Sequence, residues 1–185
     1  MACDIAEGPL SKARLHIDEA GLSRNIEAVL SNGLLKIDVP QRCDIVIAGM
    51  GGELISDIIS AAKDRIGKDV RLILQPMTRP EHLRLFLSQN GFEIISELLC
   101  EEGKIYQVIV CRYTGEAYTL TDSELSLGKK TVREESALFY LMAKKKLASL
   151  RTIADGKRDG GVSAESEERL ISELSLLIDK ENEGN

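Results

Sequence analysis

Apolar residues fall along this chain in two rhythms. Up to about residue 113, short apolar runs alternate with stretches of helical spacing; beyond it only helical spacing remains. Gly8-Pro9 puts proline where a helix starts, since its missing N–H has no partner there anyway. Leu10, Ala13, Ile17 and Ala20 then share one face, and Gly21 supplies the stop. Residues 26–30 read as a strand closed by Ser31-Asn32-Gly33. Residues 44–48 form a run typical of a strand covered on both faces, followed at once by Gly49-Met50-Gly51-Gly52. A helix is expected from Glu53, burying Leu54, Ile55, Ile58, Ile59 and Ala62. Residues 71–74 read as another buried strand, ended by Gln75-Pro76. Thr78 and Glu81 have capping-box spacing, and Leu83, Leu85, Phe86 and Leu87 carry that helix to Gly91.

After Gly91 the pattern changes. Residues 92–100 are apolar and β-branched, Glu101-Glu102-Gly103 reads as a turn, and residues 104–112 alternate at Tyr106, Val108 and Val110. Strands joined by so short a turn are antiparallel. The fold class is therefore α/β: a doubly wound sheet of parallel strands closed by an antiparallel hairpin. Residues 113–121 mark a boundary between an α/β unit, 1–115, and a C-terminal helical hairpin, 119–185. The first of its helices is expected at about 122–155 (Leu138, Leu141, Met142, Leu147, Leu150, Ile153). The second is expected at about 163–181 (Leu170, Ile171, Leu174, Leu177, Ile178). Residues 156–161 break the helix between them.

Composition changes this picture little. Aromatics are 4% of 185 residues and Trp is absent, so the core must be aliphatic. No apolar run approaches the ~18 residues of a membrane span. The two histidines, His16 and His82, read as helix-surface residues, and the four cysteines, Cys3, Cys43, Cys100 and Cys111, as buried thiols of a cytoplasmic protein, with no metal-ligand spacing. The net charge of −6 argues against generic nucleic-acid binding, but the charge is uneven. Residues 129–158 hold nine Lys or Arg against three acids, and residues 159–185 hold eight acids against two bases. The hairpin either neutralises itself or offers RNA a basic face.

In doubly wound folds, ligands bind outside the carboxyl ends of the strands. Four segments stand there: Asp4-Ile5, Ser31-Asn32-Gly33, Gly49 to Gly52, and Gln75-Pro76-Met77-Thr78. Asp4 suits a pair of ribose hydroxyls and Ile5 an adenine face; near a chain start, Asp4 also reads as a solvated residue. Asn32 suits an adenine edge, since an amide both donates and accepts, or belongs to a common turn dipeptide. Glycines 49, 51 and 52 let backbone approach a ligand, or serve helix–strand packing. Gln75 suits a substrate base edge, or punctuates a strand. No nucleophile–base pair, Walker loop or G-x-G-x-x-G is present, so neither covalent nor metal chemistry is expected.

Asp4-Ile-Ala-Glu-Gly-Pro-Leu, Ser31-Asn-Gly-Leu, Ile45-Val-Ile-Ala-Gly-Met-Gly-Gly, Leu72-Ile-Leu-Gln-Pro, Asn90-Gly-Phe-Glu-Ile and Gly103-Lys-Ile-Tyr together resemble the bacterial TrmK family. These are tRNA methyltransferases acting on N1 of adenine 22. The resemblance implies a Rossmann-like class I methyltransferase sheet, S-adenosylmethionine as cofactor, tRNA as partner and a coiled-coil-like C-terminal unit that helps hold it. It assigns Asp4, Ile5, Asn32, Gly33 and Ala48 to the cofactor. Gly49, Met50, Gly51 and Gly52 lie beside the transferred methyl, as catalytic positions. Gln75, Pro76, Met77 and Thr78 face the substrate, although many members carry two asparagines where this chain has Met77-Thr78.

The family begins with a strand and a glycine-containing loop to which nothing here corresponds. The sheet is thus expected to be truncated at its first strand, leaving the Asp4 and Asp44 strands without a shared neighbour. Two other functions stay open: an impaired relative acting as an RNA-binding protein, and a methyltransferase of the same fold with another substrate. Asp4→Ala is expected to weaken S-adenosylmethionine binding in calorimetry; unchanged affinity would remove Asp4 from the site.

Overall fold

The computed structural model describes residues 1–183, with side chains through residue 179. Its sheet is in two pieces. β1 (Ala2–Asp4) and β2 (Ala28–Leu30) pair in parallel, and α1 (Glu7–Glu19) crosses between them, burying Leu10. The second piece has the order β3-β4-β6-β5. β3 (Cys43–Gly51) and β4 (Val70–Thr78) are parallel; β6 (Lys104–Tyr113) runs antiparallel to β4 and to β5 (Phe92–Glu102). β1 pairs only with β2 and β3 only with β4 among the described residues, so each has one open edge.

α2 (Gly52–Ala62) follows β3, and α3 (Pro80–Gln89) follows β4. Ile55 and Ile59 of α2, Leu83 and Leu87 of α3, and Leu72, Leu74, Phe92, Ile94 and Ile109 of the strands are wholly buried in one core. Burying each such side chain stabilises the fold by about 1.5–3 kcal/mol. The expectation that β3 is covered on both faces is not met. Ile45 and Ile47 face the core, but Val46 is 65% exposed between exposed Asp44 and Ala48. Residues 31–39 join the two pieces. Leu34 and Val39 pack into the main core, and Arg65 donates to the Leu34 and Ile37 carbonyls at 2.9 Å each.

Several local expectations are corrected. β4 runs on through Gln75-Pro76 to Thr78, which pairs with Gly51, so Thr78 is held in the ladder and forms no capping box. Arg79 instead precedes Pro80 at the start of α3, without a side-chain cap. The β5–β6 turn is a single residue, Gly103, between paired Glu102 and Lys104. Of the cysteines only Cys111 is buried, and burial pushes its thiol pKa up.

The helix expected at 122–155 is two. α4 (Asp122–Leu127) opens on a capping box between Thr121 and Glu124, and α5 (Ala137–Asp159) opens on Ser136. Residues 128–136 lie along the outer edge of β5: Glu97 N–H donates to the Val132 carbonyl at 3.2 Å, and Glu134 N–H to the Glu97 carbonyl at 3.4 Å. Beneath them is a buried ion pair. Arg84, 1% exposed, donates through Nε and Nη2 to Glu97, 6% exposed, at 2.9–3.3 Å. Its remaining donors reach the Leu125 carbonyl (3.0 Å) and Gln107 Oε1 (2.7 Å), while Lys129 N–H donates to Glu97 at 3.3 Å. A Cβ at Gly128 would overlap the Glu97 carboxylate.

α5 continues past Gly156, and the chain turns at Gly160-Gly161 instead. α6 (Glu165–Glu183) folds back along it, with Phe139, Ala143, Leu147, Leu150, Leu174 and Ile178 between. Lys157 pairs with Glu167 at 2.8 Å and Arg158 with Glu168 at 3.2 Å, so part of the charge polarity is neutralised within the hairpin. Residues 184 and 185 of the expected 119–185 unit lie outside the described residues. No described helix is long and apolar enough to cross a membrane.

Removing one partner of a buried ion pair strands the other charge. Arg84→Ala is expected to cost about 3–5 kcal/mol in urea unfolding, and the double variant Arg84→Met, Glu97→Leu clearly less. Equal losses in the two would contradict the stranded-charge account.

Candidate functional site

Two groups of strand ends carry the candidate residues. On the small sheet, Asp4 ends β1, and its carbonyl accepts the Ser31 N–H at 2.9 Å, which holds the two exits together. One Asp4 carboxylate oxygen, Oδ1, accepts the Ala6 N–H at 2.8 Å and fixes the turn into α1; Oδ2 remains for a ligand. Ile5 beside it is 67% exposed and leaves an apolar side chain on the surface next to Asp4. Asn32 is exposed, and Gly33 rests on α2, where an added Cβ would come within 2.8 Å of Ile58. Ser31, read from sequence as turn punctuation, is buried: its hydroxyl donates to the Gly33 carbonyl (2.9 Å) and accepts the Lys36 N–H (3.1 Å). It shapes the loop that presents Asn32. Nothing in its sequence context distinguishes it from a solvated turn serine.

On the large sheet, β3 and β4 end together in paired irregularities. Ala48 lies opposite Gln75, Met50 opposite Pro76, and Gly51 opposite Thr78. Gly49 is thus an extra residue on β3 and Met77 an extra residue on β4. Gly49 has φ +76°, a conformation that favours glycine, with open space where a Cβ would stand. Its N–H donates to Gln75 Oε1 at 2.8 Å. Gly52 is glycine for a different reason: an added Cβ would overlap the Arg79 carbonyl oxygen, so the starts of α2 and α3 touch backbone to backbone. Ala48, Gly49 and Met50 are exposed, as are Met77 and Thr78, whereas Pro76 is buried.

The expected glycine loop is therefore a strand end with a bulge, running directly into a helix whose first turn has no side-chain cap. Uncapped amides at a helix start are donors without an intrahelical partner. Arg79, absent from the sequence reading, is the one non-glycine residue at positive φ (54°) among the described residues, and it forms an ion pair with Glu53 across the two helix starts. Two clefts of about 380 and about 270 Å³ lie elsewhere, at the helical hairpin. Among the described residues no group of three or more His, Cys, Asp or Glu is arranged to hold a metal ion. Gly52→Ala should push α3 away and cost about 1–3 kcal/mol in chemical denaturation; an unchanged midpoint would contradict the backbone contact.

A family model described as tRNA (adenine(22)-N(1))-methyltransferase matches residues 1–181. The tRNA (adenine(22)-N(1))-methyltransferase of Bacillus subtilis (strain 168) is 33% identical over 144 residues, covering 75% of this chain and 60% of that protein. The chain spans 60% or less of the length of the curated relatives it matches. The crystal structure of the B. subtilis m1A22 tRNA methyltransferase TrmK superposes with a TM-score of 0.73 at 27% identity, over 96% of this chain and 78% of that one. A Streptococcus pneumoniae protein solved in complex with S-adenosyl-L-methionine gives 0.78 at 29% identity, over 94% and 79%. The sheet order, the paired strand ends and a family match over almost all of its residues show that the chain belongs to the TrmK family, tRNA (adenine(22)-N(1))-methyltransferase.

Proposed function

We propose that this chain carries out methyl transfer from S-adenosylmethionine to N1 of adenine 22 in tRNA, in the cytoplasm. The observation that carries this reading is the family match over residues 1–181, in a chain whose half-buried Asp4 and exposed Ile5, Asn-Gly loop and glycine-rich bulge each stand at a strand end. The residues present fit the cofactor. Asp4 has an oxygen left for ribose hydroxyls, Ile5 offers an apolar surface, and Gly49 leaves open space at the bulge. Asn32, Gly33 and Ala48 would complete its surround.

When bound, S-adenosylmethionine supplies an electrophilic methyl group. Adenine N1 has an in-plane lone pair and needs no deprotonation before it attacks. The protein's work is to position the base and exclude water, so backbone placement at Gly49 to Gly52 counts for more than any general base. N1 lies on the pairing edge, and the base must be unpaired or flipped out to reach it. Exposed Met77 and Thr78, with buried Pro76 beneath them, form the rim on which the base would rest. In this reading residues 1–115 perform the chemistry and residues 119–185 hold the tRNA. With Lys157 and Arg158 paired to α6, exposed Lys145 and Arg151 are the cations of α5 most available to phosphate.

Incubation of tRNA with methyl-labelled cofactor, followed by nuclease mapping and mass spectrometry, should find 1-methyladenine at position 22 and none in a transcript with guanine there. Methylation of another nucleotide, or of none, would overturn the assignment.

A further inference from the structure

The sequence suggests that Gln75 reads a substrate base edge, but its side chain is already engaged. Gly49 N–H donates to Oε1 at 2.8 Å, across from β3 to β4. A peptide N–H only donates, so the amide oxygen must point there. The other end, Nε2, lies 3.4 Å from Met77 Sδ, which only accepts. Both neighbours fix the amide in the same orientation. A bidentate contact from an amide side chain to adenine needs its oxygen as well as its nitrogen, and here that oxygen already accepts the Gly49 N–H and is held towards β3.

The bond falls on the residue with the most unusual backbone at the site. Gly49 is the extra residue of the β3 bulge, at φ +76°. A bulge leaves its extra residue outside the backbone ladder, so the Gly49 N–H is paired by a side chain instead of a strand carbonyl. Gln75 sits on the neighbouring strand directly opposite Ala48 and supplies that partner. Met50, Gly51 and Gly52 follow immediately, and α2 starts at Gly52.

We propose that Gln75 is a positioning residue: through Oε1 it holds the Gly49 bulge in its left-handed conformation and thereby sets where the 49–52 backbone stands against the reacting groups, and it does not read the base. Its effect on catalysis rests on the methyl-transfer reading; its hold on Gly49 does not.

Two variants separate these roles. Gln75→Glu keeps an oxygen facing the Gly49 N–H and removes both amide hydrogens. Gln75→Leu keeps the bulk and removes the acceptor. The readouts are hydrogen exchange of the Gly49 amide by NMR, and kcat and KM for tRNA. Gln75→Leu should speed Gly49 exchange about tenfold and lower kcat on the order of 100-fold with KM little changed, the cost of misplacement by about 1 Å. Gln75→Glu should keep Gly49 protected and recover most of the lost kcat. Unchanged Gly49 exchange in Gln75→Leu would overturn the proposal. So would a Gln75→Glu protein that protects Gly49 yet is as inactive as Gln75→Leu, since the amide hydrogens would then be reading the base. The exchange arm decides the hold on Gly49 even if the wild-type protein fails to methylate tRNA, a failure that counts against the functional reading instead.

Discussion

The Arg84–Glu97 pair sets the relation between sheet and helices. A guanidinium and a carboxylate this deeply buried demand partners for every donor and acceptor. The chain meets that demand by bringing α4 to the Arg84 side and the 128–134 segment to the Glu97 side. That requirement divides what would otherwise be one long helix, admits only glycine at position 128, and covers the outer edge of β5. Leu127 and Phe139, on either side of the segment, then enter the hairpin core, so the direction of α5 and α6 follows from the same node. A buried pair of this kind contributes little net stability relative to apolar residues of the same size. Its consequence is geometric: one seating of the hairpin on the sheet.

At the other end of the large sheet, backbone rather than charge is decisive. The bulges at Gly49 and Met77 compensate each other, so β3 and β4 regain register at Gly51 and Thr78, just where the α2 and α3 starts meet. This makes the strand ends a shaped surface of amides and small residues, open to solvent. Direct methyl transfer to a ring nitrogen asks little more of a protein than such a surface, because the nucleophile needs no activation. On the small sheet, Asp4, Ile5 and Asn32 stand at the strand ends, and Gly33 beside them rests on α2.

Much of this was legible in the sequence where local rules act alone. The apolar runs around Ile45 and Leu72, the reversal at Gly103 and the amphipathic stripes of α5 and α6 gave the order of elements and the α/β class, and the glycine and Asp-Ile segments marked the strand ends. The failures share a cause: tertiary contacts overrode local propensity. Thr78 looked like a helix cap but was claimed by the β3–β4 ladder, and Gly156 looked like a break but lies inside α5, in the last turns packed beside α6. Arg84 and Glu97 gave no sign of burial, since charged residues thirteen apart on a helix and a strand read as surface until the fold is known. The alternation of β3 escaped notice because Val46, though apolar, is exposed.

The central claim is that the strand ends of both sheets form one cofactor site. Residue-resolved hydrogen exchange of the protein with and without S-adenosylhomocysteine tests it most directly. The account predicts slowed exchange at residues 4–6, 31–34, 48–52 and 75–78 together, with α5 and α6 unchanged. Protection confined to one sheet, or centred on the clefts of the helical hairpin, would contradict it.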